Sequence, residues 1–487
     1  MGNGTMPENS KFKIQNSKLP RAGYTAAASS PPPPAPAQVL ARACPLPRGA
    51  GASRSWDALY GGLCLAGLPF VLARRFGKDR DGWREKWGHV AERAPHPQRI
   101  WIHAVSVGEA VAARSLVQEL QAQCPAAEVV LSTSTRTGQE VARQRYGAER
   151  VFYFPYDFST SVRRSFERVK PSLLVLMELE VWPNVTAEAV ARGVPVLVVN
   201  GRISERSFGR YRSATWLLGG SFRRVHRWLM QNEEYARRVE RLGVEAERVE
   251  VAGNVKYDAV DTAPLTLQAR AEARADLGLS ADAPVLMGGS THPSEETALL
   301  DACRQLQERF PGLRLVLAPR HPERLSEVER EITARGLVCL RRSAQKSAGA
   351  PAPESSAQDP RASAVVLVDT MGELNRLYRA ADVAFVGGSL IPHGGQNVME
   401  PAGLGLPAVY GPHMANFAEA VLILKECEGG VQVEDGAALT VALQNLFSDP
   451  RQAQALGQRA RAAFLSRQGA TAKCVAHVKR LLPPQVP

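Results

Sequence analysis

Acids and bases stand just past apolar runs at several points in this 487-residue chain, and their types suit proton transfer and phosphate binding. The run 101–105 leads into Ser106-Val-Gly-Glu109. Ser106 and Glu109 have the spacing of a helix capping box, which alone would explain the pair. Glu109 could equally be a general base, since a helix N-terminus favours the ionised form that accepts a proton. Spacing does not choose between the two. Glu178 and Glu180 follow the apolar run 173–177, with the helix-start signal Pro183 close behind. Burying carboxylates is costly unless they are paired or used. The plainer reading is one exposed loop acid and one structural ion pair. Lys256, in GNVKYD, could neutralise a leaving phosphate.

Other residues suit anions. Seven arginines and one acid lie between Arg202 and Arg227 inclusive, a pattern that fits a solvated helix face, phosphates or anionic headgroups. The second half carries loops at Gly288–Glu296, at Pro319-Arg320-His321, at Met371-Gly372-Glu373 and at Gly387-Gly388-Ser389. The last runs on to Asn397-Val398-Met399-Glu400. Glycine turns before a helix let backbone N–H groups approach a phosphate. Asn397 and Glu400 also fit a cap and its partner. A P-loop motif is missing, and the dinucleotide-like letters at 403–408 follow no strand. His292, His321 and His393 sit in separate loops that could meet, but no acid, His or Cys spacing suits a metal ion. Neither a metal nor a cofactor is expected.

These residues need a scaffold. Apolar runs at 99–104, 128–132, 151–154, 173–177, 195–200, 227–230 and 249–252 alternate with helical spacing, such as 108–123. The rhythm restarts at 284–289, 314–318, 337–340, 365–368, 383–386 and 407–410. Such βαβ alternation predicts an α/β chain with two Rossmann-like domains, over 99–262 and 263–487, facing across a cleft. Loops after strands are then where ligands bind. Residues 341–364 read as a surface loop. Residues 1–55, rich in Pro, Ala and Gly, predict a disordered tail. Residues 56–98 predict an anchor or interfacial helix and a linker, because 58–73 carry no charge and Arg74, Arg75, Lys78 and Arg80 follow. That stretch is short for a span and contains Pro69, so a helix packed on the protein is the other reading. The basic flank puts the globular part on the cytoplasmic side.

A net charge of +12 and a pI near 9.5 favour an acidic partner. No nucleic-acid-binding pattern is found, which leaves anionic lipid or a phosphorylated substrate. Seven scattered cysteines without a CxxC suit reduced thiols.

The blocks HAVSVGEA, MELEVWPN, NGRISERS, GNVKYD, GSTHPSEE, APRHPER, DTMGEL, FVGGSL and GGQNVMEP occur in that order. Together they resemble the Kdo (3-deoxy-D-manno-octulosonic acid) transferase family of lipopolysaccharide assembly. The resemblance implies a GT-B fold, a CMP-Kdo donor and inverting, metal-independent transfer to the lipid A precursor, an acylated glucosamine disaccharide phosphate. It implies Glu109 as catalytic base, with Glu178 and Lys256 as transition-state stabilisers. CMP would sit on Pro319, Arg320, Met371, Gly372, Glu373, Asn397, Val398, Met399 and Glu400. The expected partners are CMP-Kdo, the lipid A precursor and the anionic surface of the inner membrane. Another GT-B transferase or an epimerase using a UDP-sugar, and a non-catalytic membrane scaffold, are the alternatives.

Overall fold

The computed structural model describes residues 81–347 and 364–484. The expected tail and anchor segment, up to residue 80, and most of the expected 341–364 loop lie outside the described residues.

Two seven-stranded parallel sheets form the framework. The first contains β1 (Arg99–His103), β2 (Glu128–Thr133), β3 (Val151–Tyr153), β4 (Leu173–Met177), β5 (Val196–Gly201), β6 (Arg227–Met230) and β7 (Val249–Val251), in the order β3-β2-β1-β4-β5-β6-β7. Its strands alternate between two buried faces. Trp101, Leu174, Leu176, Val196 and Val198 enter one core, while Ile100, Ile102, Leu173, Val175 and Leu197 enter the other. Helices cover both faces, as the apolar character of the runs requires.

The second sheet contains β8 (Val285–Thr291), β9 (Arg314–Pro319), β10 (Cys339–Arg341), β11 (Val365–Leu367), β12 (Val383–Val386), β13 (Ala408–Tyr410) and β14 (Gly430–Gln432). Its order is β10-β11-β9-β8-β12-β13-β14. It too is buried on both faces, with Leu286, Leu315 and Phe385 on one side and Val285, Met287 and Val316 on the other. This is the expected GT-B architecture of two Rossmann-like domains.

One boundary is corrected. The sequence assigns 263–487 to the second domain, yet the helix Ala470–Leu481 packs on the first sheet. Ala470, Cys474, Val475 and Val478 join the core that holds Ile100, Ile102 and Leu116. His477 Nε2 lies 2.8 Å from Glu250 Oε2, and the Gln98 amide donates to the Pro483 carbonyl at 2.6 Å. An apolar stripe must be covered, and the sheet that covers it need not be the nearest in sequence.

The chain therefore crosses between domains twice, and the crossings are bonded together. Gln468 Nε2 donates to the carbonyls of Tyr257 and Val260 at 2.9 and 2.8 Å, and the Gly469 N–H donates to Asp258 Oδ1 at 2.6 Å. The Tyr257 hydroxyl, beyond the end of β7, donates to Glu419 Oε1 at 2.9 Å, beyond the end of β13. The carboxyl edges of the two sheets thus meet at this junction.

Candidate active site

Helix Val107–Gln123 begins where β1 ends. Ser106 caps it, accepting the Glu109 N–H at 3.5 Å. Glu109 in turn accepts from the Val105 N–H at 2.9 Å and from the Ser106 hydroxyl at 3.1 Å. The capping box is real, but the carboxyl's electrostatics go beyond capping. Burial above all, with Glu178 and Glu180 adding to it, pushes the Glu109 carboxyl up to about 7, against the pull of the Val105 N–H and the Ser106 hydroxyl. The helix N-terminus favours the ionised form, as the sequence suggests, but burial pushes the other way. A carboxyl poised near neutrality suits a general base better than an ordinary one.

Glu178 stands just past β4 with φ +56, the left-handed region that a non-glycine residue adopts only when its surroundings hold it there. Its N–H donates to the Val199 carbonyl at 2.9 Å. β1 and β4 are neighbours at the point where the strand order reverses, the switch point at which such sheets bind ligands. Glu109 and Glu178 flank that point. Glu180 is also raised, by burial and then by Glu178, although its Oε2 accepts from Trp182 Nε1 at 3.0 Å. Glu178 and Glu180 both lie close enough to act on the Glu109 carboxyl.

Lys256 lies on the short helix Val255–Asp258 after β7. Asn254 Oδ1 accepts its N–H at 3.0 Å, and Asn200 Oδ1, at the end of β5, accepts the Val255 N–H at 3.2 Å. This helix packs against Val107–Gln123, so Lys256 and Glu109 stand on touching elements, with the Lys256 side chain exposed. Asn200, the first residue of the block NGRISERS, stands at φ +58 and acts as a brace between the ends of β5 and β7.

The second sheet has its own switch point, between β8 and β12. Here the glycine turn differs from expectation. Glu295, buried at the start of helix Glu295–Gln307, accepts the N–H groups of Gly388, Ser389 and Leu390 at 2.7, 2.9 and 3.0 Å, and that of His292 at 3.0 Å. Those donors are satisfied by the protein and are not open to a phosphate. The three histidines do meet. The His292 ring lies 4.2 Å from that of His393 and 5.2 Å from that of His321, centroid to centroid. Burial first, then these neighbours, Arg320 and Arg324, hold His292 down at about 4. Among the described residues no group of three or more His, Cys, Asp or Glu is placed to hold a metal ion.

The other expected donor contacts line the same carboxyl edge. The Arg320 N–H donates to the Thr291 carbonyl at 2.9 Å, joining the ends of β9 and β8, and the Arg320 side chain is exposed beside Pro319. Met371 is 71% exposed, and Gly372 has φ +82, so this turn offers its backbone to solvent. Glu373 is engaged elsewhere. Burial opposes its ionisation, yet bonds from Lys346, Thr370 and Arg376 hold its carboxyl down at about 2. Asn397 Nδ2 donates to Glu400 Oε1 at 3.0 Å, and Asn397 Oδ1 accepts the Met399 N–H at 3.2 Å, with Val398 buried between them. Burial pushes the Glu400 carboxyl up.

Residues 81–259, the stretch that carries the three carboxyls and Lys256, match the family model for 3-deoxy-D-manno-octulosonic-acid transferase (kdotransferase). The chain is 34% identical over 412 residues to the 3-deoxy-D-manno-octulosonic acid transferase of Haemophilus influenzae, covering 84% of this chain and 92% of that protein. To the transferase of the same name from Bordetella pertussis it is 35% identical over 405 residues, covering 79% and 88%. Among solved structures, the C-terminal CMP-Kdo binding domain of WaaA from Acinetobacter baumannii is 29% identical, with a TM-score of 0.35, covering 40% of this chain and 96% of that one. With its carboxyls at the switch point and relatives matched over nearly their whole length, the chain belongs to the 3-deoxy-D-manno-octulosonic acid transferase family of glycosyltransferases.

Proposed function

We propose that the protein transfers Kdo from CMP-Kdo to a hydroxyl of the lipid A precursor in lipopolysaccharide biosynthesis, with inversion and without a metal. The observation that carries this reading is the carboxyl of Glu109, raised to about 7 by burial and by Glu178 and Glu180 at the switch point of the first sheet. Such a group takes the proton of an acceptor hydroxyl as the oxygen attacks the anomeric carbon. The bond to the CMP phosphate breaks on the opposite face, which inverts the centre. CMP leaves as an anion, so cationic side chains can stabilise it. Lys256 and Arg320 take that role, and Glu178 supports the positive charge that develops on the sugar. Pro319, Met371, Gly372 and Asn397 to Glu400 hold the nucleotide, while Glu373 fixes its loop from beneath.

The reaction runs at the inner membrane, with the catalytic domains on the cytoplasmic side. The net charge of +12 supports a membrane surface, as does Trp216, 84% exposed on the helix that follows Glu205–Ser213, which carries the exposed Arg206, Arg210 and Arg212. An exposed tryptophan beside cations suits the headgroup region of an anionic bilayer. Among the described residues no helix is long and apolar enough to cross a membrane. Titration with CMP and with UDP tests the donor: CMP should bind and raise the melting temperature, and UDP should do neither. The reverse preference would favour a UDP-sugar enzyme.

A further inference from the structure

A cavity of about 400 Å³ opens at the carboxyl edge of the first sheet, beyond β2 and β3. That lies within the roughly 300–1,000 Å³ of small-molecule sites. Its walls include the rings of Trp83, Tyr153, Tyr156 and Trp182 and the cations Lys86 and Arg136. Trp83 and Tyr156 meet edge to face at 6.0 Å, and Lys86 Nζ lies 4.6 Å above the Tyr153 ring.

The cavity is coupled to the carboxyl cluster through two of its walls. The N–H groups of Ser134 and Thr135, which line it, donate to the Val105 carbonyl at 3.2 and 3.3 Å, and the Val105 N–H donates to Glu109 at 2.9 Å. On the other side Trp182, 42% exposed, donates to Glu180 at 3.0 Å. The cavity thus shares hydrogen-bonded walls with the segments that carry Glu109 and Glu180.

Its chemistry is selective. Aromatic faces take the C–H face of a pyranose, and the hydroxyl of Ser134 can bond to a sugar oxygen, while that of Thr135 is held by the Gly138 N–H and the Val105 carbonyl. Of the two acids in the lining, Asp157 is committed to the helix Pro183–Ala191, accepting the N–H groups of Asn184 and Val185 at 3.1 and 2.9 Å. Asp81 is the other. Among the described residues Arg136 pairs with the exposed Glu140 at 3.7 Å, a pairing too weak and solvated to hold it from a phosphate.

We infer that this cavity is the subsite for the acceptor's sugar, stacking a phosphorylated aminosugar on Trp182 and Trp83 and pairing its phosphate with Arg136. The inference rests on the reading of the acceptor given above. The test uses deacylated glucosamine disaccharide bisphosphate and its dephosphorylated form as probes, titrated by calorimetry into wild type, Arg136→Ala and Trp182→Ala. Arg136→Ala should weaken the bisphosphate about tenfold or more and leave the dephosphorylated sugar unchanged, as expected for one lost charge-assisted bond. Trp182→Ala should weaken both probes. CMP affinity should be unaltered in both variants, which reports an intact fold. A wild type that does not bind the bisphosphate, or either variant that binds it as wild type does, would overturn the subsite. A wild type that binds the probe through these residues yet makes no Kdo adduct would instead overturn the donor reading and leave the subsite standing.

Discussion

Burial, with Glu178 and Glu180 adding to it, raises the Glu109 carboxyl to about 7, and that sets what can be expected of it. Glu109→Gln cannot accept a hydroxyl proton, so transfer should fall by about 10²- to 10⁴-fold while the fold and CMP binding persist. In wild type the rate should rise with pH through about 7, where the carboxyl ionises. Glu178→Gln removes a neighbouring charge, so the same limb should move to lower pH, whatever happens to the maximal rate. A limb that stays in place would mean that another group titrates. The sign for stability runs the other way. The carboxyl's value is raised in the fold, so its contribution is full below the ordinary 4.5 and is lost as pH rises through about 7. Glu109→Gln should escape that loss and melt no lower than wild type above about pH 8. The sequence displayed the capping pair and both readings of it. It did not display the direction of the shift, because that depends on Glu178 and Glu180, some 70 positions away in sequence, arriving at the same edge. Glu295 was hidden for the same reason: four N–H groups converge on it only after the turn at 388–390 closes over its helix.

Among the elements, most of the parallel strands were readable because they are short apolar runs buried on both faces. β14 was missed. Its three residues, Gly430-Val-Gln432, are only partly buried at the sheet's edge and carry too little pattern. The partner sheet of the last helix was not legible, since periodicity records that a stripe is buried and not by what. A chain ending at residue 469 should therefore destabilise the first domain, not the second. Each buried valine lost from that face contributes roughly 1.5–3 kcal/mol. Hydrogen exchange should show lost protection in β1 and β5, with β8 and β9 unaffected. In the loops of the second sheet, Arg320→Ala should weaken CMP binding by about 1.5–3 kcal/mol. Glu373→Gln should instead lower the melting temperature, because its carboxylate is spent on Lys346, Thr370 and Arg376. Calorimetry with a melting curve on each variant separates the two roles, and a Glu373→Gln protein of normal stability with weak CMP binding would assign Glu373 to the nucleotide after all.

For the whole molecule, charge and architecture act together. The excess of cations should draw it to anionic vesicles at low salt, and about 1 kcal/mol per charge near the surface should be lost as salt screens it. Trp216→Ser should weaken that binding further. Binding indifferent to salt and to this change would assign the basic face to something other than lipid. The two-domain plan places one set of chemical groups on each sheet edge, three carboxyls and Lys256 on the first, Arg320 and its neighbouring loops on the second. It is this division that the proposed reaction needs, with acceptor activation on one side and leaving-group binding on the other. The most direct test is to incubate the protein with a CMP-Kdo source and the lipid A precursor and to weigh the lipid product. The account predicts a product heavier by Kdo, formed by wild type in the presence of EDTA and not by Glu109→Gln. An unaltered lipid mass with wild type, or an adduct formed equally well by Glu109→Gln, would contradict it.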